Sequence, residues 1–396
     1  MNLKILHTEV QNFITEHLNS DISKILFKGS PFGDISIQEL ASQIESKKRA
    51  QYKLPTWFDT QFVYYPDKLN IEQTSSEIAA NYKSSLISGD SLIDITGGFG
   101  VDAYFFSKRF KQVTHCEINV ALSQIVSHNI EQLNIQNIET VAQDGLAYLS
   151  SQQQFDWIYI DPSRRNDMKG KVFLLNDCLP NVPENLELLF RYSDNILVKA
   201  SPMLDITRAI NELNFVKEIH VVAVNNEVKE LLFILEKGYK KTITLKTINI
   251  GSKQHQYFEA IYKGETNCNL SLPQTYLYEP NAAILKAGLF DELSALNVLK
   301  LHQNSHLYTS ESLIEFPGRS LIIKHMIPYD KKQLKKLIPS QKANITTRNF
   351  PDTVAQIRKK TKLKDGGNLY LFFTKNMNEK YIVLICEKVK KKASVL

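Results

Sequence analysis

Four acidic residues stand at the ends of short apolar runs in this sequence. Each lies at, or just after, the end of a run rich in Ile and Val; they are Asp94, Glu117, Asp144 and Asp161. Carboxylates accept hydrogen bonds from the hydroxyl, amino and ammonium groups of a ligand. If the runs form parallel strands, their carboxyl ends share one edge of the sheet, and the four acids lie in one crevice.

A glycine-rich segment begins at the first of these acids. It reads DITGGFGVD over residues 94–102, with glycines at 97, 98 and 100. Glycine lets the backbone turn tightly and come close to a ligand, because it has no Cβ. The spacing differs from the GxGxxG pattern of NAD-binding proteins. We therefore expect a ligand-binding loop of another kind here.

The elements that must position these residues alternate between strand and helix. Five short runs between residues 91 and 200, separated by stretches long enough for helices, predict a parallel sheet covered on both faces. Two further runs, 216–224 and 229–237, are separated by only four residues and must pair antiparallel. The predicted fold class is therefore α/β, with five parallel strands closed by an antiparallel hairpin.

Four regions are predicted along the chain: 1–85, 86–264, 265–318 and 319–396. The first is helical, with capping boxes at Ser36–Glu39 and Thr74–Glu77. The second is the α/β domain, and the third is a small module in which residues 276–295 indicate a turn followed by a helix. The fourth alternates strands and helices as a small α+β domain.

Charge is distributed unevenly along the 396 residues. Residues 301–396 carry 19 Lys and Arg against 7 Asp and Glu, whereas the other 300 carry 29 against 35. A basic domain on a slightly acidic body is typical of proteins that bind a phosphate backbone. Neither a membrane-spanning run, a signal peptide nor a metal-ligand spacing is evident, so we expect a cytoplasmic protein without metal.

A family resemblance rests on these segments. DITGGFGVDAYFF, THCEIN, AQDGLAYL and YIDPSRR resemble, in order, the cofactor motifs of class I S-adenosylmethionine-dependent methyltransferases, whose Rossmann-like sheet has the predicted strand arrangement. More narrowly, residues 277–288 and 342–367 resemble the ferredoxin-fold and THUMP-like modules of bacterial methyltransferases. The resemblance implies S-adenosylmethionine as cofactor, bound by Asp94, Thr96, Gly97, Gly98, Gly100, Asp102, Glu117, Ile118, Asp144, Gly145 and Asp161.

The resemblance also implies a role for each acid. Asp94 and the glycine loop would hold the methionine part of the cofactor, Glu117 the ribose, and Asp144 with Gly145 the adenine. Residues 74–81 resemble a helix that precedes the first strand in several RNA methyltransferases and touches the cofactor. Helix capping explains Ser75 and Ser76 equally well.

Candidate catalytic residues follow the fourth and fifth runs: Asp161, Pro162, Arg164 and Lys199. Enzymes that methylate exocyclic amines often carry (D/N)PP(Y/F) at this position. Asp161 and Pro162 match that pattern, whereas Ser163 and Arg164 depart from it, which puts base-amine methylation in doubt. Arg164 could stack on a base or bind a phosphate.

A second constellation points to ribose methylation. Lys199 and Glu227, with Asp161 and Lys83, partly match the Lys–Asp–Lys–Glu group of ribose 2′-O methyltransferases, in which a lysine takes the hydroxyl proton. Cys178, the one cysteine positioned to attack a base, has no supporting motif.

The substrate has three interpretations. The first is a nucleotide in structured RNA, tRNA or rRNA, held by residues 319–396, where the basic clusters 331–336 and 358–364 lie. The second is a small molecule or protein whose acidic groups bind Arg164 and Arg165. The third is an RNA assembly factor that binds the cofactor without turnover.

Overall fold

The computed structural model describes residues 1–164 and 174–389 of the chain. It divides into two compact units. The first unit consists of Met1–His220 and Lys229–Ile243, and the second of Val221–Val228 and Thr244–Leu396. We describe each unit separately.

The first unit begins with a 3-10 turn, Leu3–Leu6, and helices that confirm the predicted helical region. They are α1 (Thr8–Glu16), α2 (Ile22–Lys28), α3 (Ile37–Lys53), α4 (Pro55–Asp59), α5 (Lys68–Gln73) and α6 (Glu77–Ser85). Ser36 and Glu39 form the predicted capping box. The predicted Thr74–Glu77 box is wrong: Ser76 caps α6 and accepts from the amide of Ala79, because Thr74 already closes α5.

Strands and helices then alternate as predicted. The strands are β1 (Gly89–Asp94), β2 (Phe110–Cys116), β3 (Ile138–Val141), β4 (Trp157–Ile160), β5 (Ser163–Arg164), β6 (Cys178–Leu179), β7 (Asn195–Ala200), β8 (Val216–Val224) and β9 (Glu227–Glu236). The helices between them are α7 (Val101–Phe106), α8 (Val120–Gln132), α9 (Gly145–Leu149), α10 (Val182–Tyr192) and α11 (Ile206–Glu212), with a 3-10 turn at Leu175–Asp177.

The main sheet of this unit has the strand order β8-β9-β7-β4-β1-β2-β3. Pairs β1–β2, β1–β4, β2–β3 and β4–β7 are parallel, whereas β9 runs antiparallel to β7. The predicted α/β class is confirmed. Because the five parallel strands point the same way, their carboxyl ends meet at one edge of the sheet, where the acids were expected.

The N-terminal helices pack on the helices of the sheet. One apolar core joins buried residues of α1–α5 with residues of α7 and α8. Within it, the ring centroids of Trp57 and Tyr104 lie 4.9 Å apart, and Asn129 exchanges two 2.9 Å hydrogen bonds with the backbone of Tyr64. The first 85 residues therefore share a core with α7 and α8, the helices that follow β1 and β2. The predicted domain boundaries remain predictions.

Besides Val221–Val228, the second unit contains a hairpin of β10 (Thr244–Ile250) and β11 (His255–Ile261), which was not predicted. The strands of its sheet are β12 (Tyr276–Pro280), β13 (Leu299–Lys300), β14 (Tyr308–Ser310), β15 (Gly318–Pro328), β16 (Asn344–Thr347), β17 (Leu369–Lys375) and β18 (Tyr381–Lys388). Its helices are α12 (Ala282–Ala287), α13 (Lys331–Leu337) and α14 (Val354–Thr361), with a 3-10 turn at Glu292–Leu296.

These seven strands pair in the order β13-β14-β12-β15-β18-β17-β16. Only β16 and β17 are parallel among the pairs of this sheet that the structure describes. The turn predicted at residue 276 is wrong, since residues 276–280 form β12 between β14 and β15. Leu277 and Tyr278 are both fully buried, so this segment is a central strand with two covered faces.

Across the described residues we find no helix whose length and apolar character would let it cross a membrane.

Candidate active site

Asp94 closes the first strand and anchors the glycine loop. Its side chain is buried, and its Oδ1 accepts from the backbone amide of Thr96 at 2.9 Å and from the Thr96 hydroxyl at 3.2 Å. The same hydroxyl accepts from the backbone amide of Asp161 at 2.7 Å. Burial, together with the charges of Asp102 and Asp161, raises the pKa of Asp94 to about 8. Thr96 thereby ties the glycine loop to the end of β4.

Two glycines are required by close approach. At Gly97 a Cβ would lie 2.4 Å from His115 Nε2 and 2.7 Å from the carbonyl oxygen of Cys116, to which the Gly97 amide donates at 2.8 Å. At Gly145 a Cβ would lie 2.2 Å from the carbonyl oxygen of Ile95. Contacts this short do not occur for real side chains, so the loop after β1 packs directly on the turns that follow β2 and β3.

Glu117 follows β2 and faces the glycine loop. One carboxylate oxygen accepts from the amide of Gly98 at 2.8 Å, and the other accepts from the amide of Asn119 at 2.7 Å. The next side chain, Ile118, is apolar and 69% exposed. A fixed carboxylate beside an exposed apolar side chain is suited to a ligand that combines hydroxyl groups with a flat apolar ring.

Asp144 caps the helix that follows β3. Its Oδ1 accepts from the amide of Ala147 at 2.9 Å, and its side chain is exposed at the carboxyl edge of the sheet. Gly100, with φ of 76°, precedes α7. All four predicted acids therefore lie at the carboxyl ends of adjacent parallel strands.

Asp161 and Lys199 form an ion pair at the ends of β4 and β7. Lys199 Nζ donates to Asp161 Oδ2 at 2.5 Å; the lysine side chain is 13% exposed and the aspartate side chain 36%. Burial lowers the pKa of Lys199, but the charges of Asp161, Asp102 and Glu230 outweigh it and raise that pKa above its usual range. Lys199 is therefore a permanent cation that holds the more exposed Asp161 in place.

The segment after Asp161 is described in part. Pro162 is buried, and Ser163 is exposed at the start of β5. The backbone of Arg164 pairs with Cys178, which is fully buried. Nothing is described of the Arg164 side chain, and Arg165 lies outside the described residues.

A buried charge network lies beneath this pair. The carboxylate of Asp102 accepts from Lys83 Nζ at 2.8 Å, from the Ser75 hydroxyl at 3.0 Å and from the Tyr159 hydroxyl at 2.7 Å. Lys83 Nζ also lies 3.3 Å from Glu230 Oε2 and 3.1 Å from Ser75 Oγ. The Lys83 side chain is wholly inaccessible to solvent.

The network fixes the ionisation of its members. Burial acts to raise the pKa of Asp102, but the charges of Lys83 and Lys199 outweigh it and lower that pKa to about 2. Burial raises the pKa of Glu230, and one of its carboxylate oxygens is buried without a hydrogen-bond partner among the described atoms. Asp102 is thus a structural anion under the glycine loop, and its oxygens already bind three side chains.

Three residues of this network differ from the sequence interpretation. Lys83, predicted as a candidate proton acceptor, is enclosed by its partners, and Glu230 rather than Glu227 supplies the glutamate carboxylate beside it. Tyr159 was not singled out at all. Glu230 is the one acid within the apolar run ELLFIL, and Tyr159 stands two residues before Asp161; both signals were available.

Several histidine and aromatic side chains of the second unit belong to its packing. In the second unit His302 accepts or donates at 2.7 Å with Glu379, and His306 stacks on Phe290 with ring centroids 3.7 Å apart. Phe372 and Phe373 are fully buried. No cluster of three potential metal ligands occurs within residues 1–164 and 174–389.

The crevice fits a nucleoside-containing cofactor. The loop at Gly97 brings backbone to the carboxyl edge, Glu117 offers a fixed carboxylate, and Ile118 offers an apolar surface. Asp161 stands at the far side, linked to the loop by Thr96. The arrangement can hold a cofactor along three strand ends and present an acceptor group to a carboxylate.

Comparisons with known proteins agree with this geometry. Residues 70–229 match a family profile described as conserved hypothetical protein 95, residues 276–317 a ferredoxin-like domain, and residues 318–388 a THUMP domain-like family. The crystal structure of a "putative methyltransferase" from Porphyromonas gingivalis W83 is 31% identical over 98% of this chain and 99% of that chain, with a TM-score of 0.87.

Two more distant structures each match about two fifths of the chain. One is a "putative methyltransferase" from Streptococcus mutans in complex with SAH, 12% identical over 40% of this chain and 97% of that chain, with a TM-score of 0.29. The other is an rRNA methylase from Streptococcus thermophilus, 15% identical over 42% of this chain and 98% of that chain, with a TM-score of 0.30.

A search of curated proteins gave no significant match. The identity to the Porphyromonas gingivalis protein extends over almost the whole of both chains, and the profiles divide the chain as the sequence resemblance suggested. The chain therefore belongs to the same methyltransferase family, in which ferredoxin-like and THUMP-like domains follow the methyltransferase domain.

Proposed function

We propose that the protein transfers a methyl group from S-adenosylmethionine to a nucleotide in structured RNA. The observation that carries this proposal is the linkage of Asp161 to the glycine loop through the Thr96 hydroxyl. The acid at the acceptor side and the loop at the cofactor side are thereby fixed to each other. The transfer of a methyl group from one bound molecule to another depends mainly on such alignment of the two reactants.

The residues of the crevice have separate tasks in this proposal. S-adenosylmethionine supplies the methyl group when it is bound. Asp94 would accept from its ammonium group, Glu117 from its ribose hydroxyls, and Asp144 from its adenine amine. Gly98, which has no atom closer than 4.0 Å to the position of a Cβ, would leave space for the ligand, and Ile118 would cover the adenine ring.

Asp161 would hold the acceptor. Its carboxylate is the most exposed member of the charge cluster around Lys199 and can accept a hydrogen bond from an N–H or O–H group. Lys199 fixes the orientation of that carboxylate. Because the pKa of Lys199 is raised and Lys83 is enclosed, neither lysine is suited to take a proton from a ribose hydroxyl.

RNA is the proposed substrate because of the second unit. Residues 318–388 match a THUMP domain-like family, and the C-terminal 96 residues carry 19 Lys and Arg against 7 Asp and Glu, a net positive charge that the rest of the chain lacks. RNA held there through its phosphates would deliver one nucleotide to the crevice. We propose tRNA or rRNA, and a cytoplasmic location stays a prediction.

The test is transfer of tritium from labelled S-adenosylmethionine to total RNA of a strain that lacks the gene. Wild type is compared with Asp161→Asn, and Asp90→Asn serves as the matched control, because the Asp90 side chain is 71% exposed in a surface pair. Cofactor binding is measured in parallel by calorimetry. We expect label in one RNA species, its loss in Asp161→Asn, and unchanged binding of the cofactor by that variant.

Other outcomes select the alternatives. Cofactor binding without label in any RNA would favour a small-molecule or protein substrate. If no labelled product of any kind forms while RNA still binds, the protein would be an assembly factor without turnover. Equal labelling by wild type and Asp161→Asn would refute the role of Asp161.

A further inference from the structure

The short helix α13 carries four lysines on its outer face. Lys331, Lys332, Lys335 and Lys336 are all exposed, while Leu334 between them is buried against the sheet. Lys331 and Lys335, and likewise Lys332 and Lys336, are four residues apart and therefore neighbours on the helix surface. Over the described part of the chain, none of these lysines lies within ion-pair distance of an acid.

This arrangement works against the stability of the helix. Like charges at i and i+4 repel, and cations in the first turn, here Lys331 and Lys332, face the positive end of the helix dipole. Lys335 and Lys336 lie in the last turn, where the dipole favours cations, so helix stability gives no reason for Lys331 and Lys332 or for the close spacing of the four charges.

A second like-charge pair lies next to the helix. Lys342 and Lys364 are partners in a parallel β-bridge, and both side chains are exposed. The Gln341 amide donates to the carbonyl of Ile338, directly after α13, and the Lys364 amide donates to the carbonyl of Gln341. The bridge thus continues from the end of the helix. Lys342 and Lys364 repel each other, because like charges lie side by side on neighbouring strands.

The basic residues of α14 differ from these. Arg358 donates to Asp365 and to the carbonyl oxygens of Leu363 and Ala343, and Lys360 donates to Asp352 at 2.6 Å. The charges of Arg358 and Lys360 are therefore used within the domain. The two clusters look alike in sequence, but the second is partly paired, whereas no lysine of the α13 cluster has an acidic partner among the described residues.

We propose that Lys331, Lys332, Lys335, Lys336, Lys342 and Lys364, the lysine array, bind consecutive phosphates of structured RNA. This inference rests on the proposed function. Lysines at i and i+4 are separated by about 6 Å along the helix axis, a distance comparable to that between successive phosphates of one strand. Contacts of this kind position a nucleic acid without reading its sequence.

The aromatic residues of the sheet favour the same type of contact. Proteins that bind single strands stack bases on exposed aromatic rings. Phe372 and Phe373 in β17 are fully buried and pack within the domain. These two rings are therefore closed to unpaired bases.

The test uses the full chain and four lysine-to-glutamine changes in α13, at 331, 332, 335 and 336. A matched control removes the same charge from exposed lysines of the first unit, Lys24, Lys28, Lys240 and Lys241. Binding to unfractionated tRNA and to a short RNA duplex is measured over a range of salt concentrations. We expect the slope of log K against log salt to fall by about 3 in the α13 variant, and little in the control.

Thermal unfolding separates a binding role from a structural one. If the lysines repel one another, the α13 variant should unfold at the same temperature as wild type or above it. A lower midpoint would show that the lysines stabilise the domain and would overturn the inference. Binding of wild type to anionic phospholipid vesicles but not to RNA would overturn it as well.

Failure of this inference is distinguishable from failure of the proposed function. Equal salt slopes in all three proteins, or no RNA binding by wild type, would overturn the array as a binding surface. Methyl transfer to RNA by the α13 variant at saturating RNA would leave the proposed function intact. Array-dependent binding without any methylated RNA would support the array and refute the proposed function.

Discussion

Replacing Lys83 by methionine should destabilise the first unit strongly. The lysine is the buried cation between Asp102 and Glu230, with Nζ at 2.8 Å and 3.3 Å from their carboxylates. Methionine fills a similar volume, so the change removes the charge and its hydrogen bonds rather than the packing. Breaking a buried pair in this way costs about 3–5 kcal/mol, because a charge is left without compensation.

The structure offers an independent route to the same magnitude. Without Lys83, Glu230 can avoid a buried charge by binding a proton, and its ordinary pKa is 4.5. Protonation at pH 7 then costs about 3.4 kcal/mol, at about 1.36 kcal/mol for each pH unit. Above pH 4.5 the folded variant binds this proton whereas the unfolded chain does not. The loss in free energy of unfolding caused by Lys83→Met should therefore shrink by about 1.4 kcal/mol for each pH unit between pH 7 and pH 5.

Urea unfolding followed by tryptophan fluorescence measures this loss in the relevant unit. Both tryptophans of the chain, Trp57 and Trp157, belong to the first unit. The control is Lys111→Met, which breaks an ion pair with Asp90 whose side chains are 78% and 71% exposed and should cost less than about 1 kcal/mol. A Lys83→Met deficit below 1 kcal/mol at pH 7, or one that does not depend on pH, would refute the assignment of a buried charge network.

Three further predictions concern the cofactor crevice. S-adenosylmethionine affinity, measured by calorimetry, should rise by up to about tenfold per pH unit as the pH approaches 8 from below, because Asp94 with its pKa of about 8 must lose a proton to bind the cofactor ammonium. Above that pH the affinity should fall again, because the ammonium then loses its own proton. Asp94→Asn should remove the rise. Gly145→Ala should cost about 1–3 kcal/mol in urea unfolding, since its Cβ would lie 2.2 Å from a carbonyl oxygen, whereas Gly33→Ala, with nothing within 4 Å, should be neutral. Ile118→Ala should weaken cofactor binding about tenfold without altering stability, because the exposed isoleucine would lose its contact with the cofactor. The control is Phe27→Ala, at a side chain 93% exposed, which should change neither cofactor binding nor stability. Equal effects of the two substitutions would contradict a cofactor contact at Ile118.

Much of the first unit could be predicted because its signals are local. Apolar runs of four to nine residues, separated by helical stretches, correspond to β1–β4 and β7–β9. The acids at their ends lie together because parallel strands of adjacent β-α units share one carboxyl edge. Errors arose where two local signals competed. Thr74 and Ser76 both precede α6, but Thr74 also closes α5, so Ser76 caps α6.

The second unit was harder to predict from the sequence. Residues 276–280 end in Glu-Pro and are followed by Asn281, a turn-forming sequence. The strand that they form depends on pairing with β14 and β15, which lie far along the chain. The hairpin β10–β11 was overlooked because β11 is largely exposed on alternate residues and lacks a continuous apolar run.

By itself the sequence determined the order of the strands, the position of the glycine loop and the acids that follow each strand, because these depend on neighbouring residues and on chain order. Only the tertiary structure decided which charges face the crevice. Lys83 is internal because it meets both Asp102 of α7 and Glu230 of a distant strand, β9, and Lys199 of β7 holds Asp161, which follows β4. In the second unit it likewise decided that Arg358 and Lys360 of α14 are paired, whereas the α13 lysines have no acid within ion-pair distance among the described residues. A charge is catalytic, structural or free for binding according to its burial and its partners, and both are set by elements brought together in space.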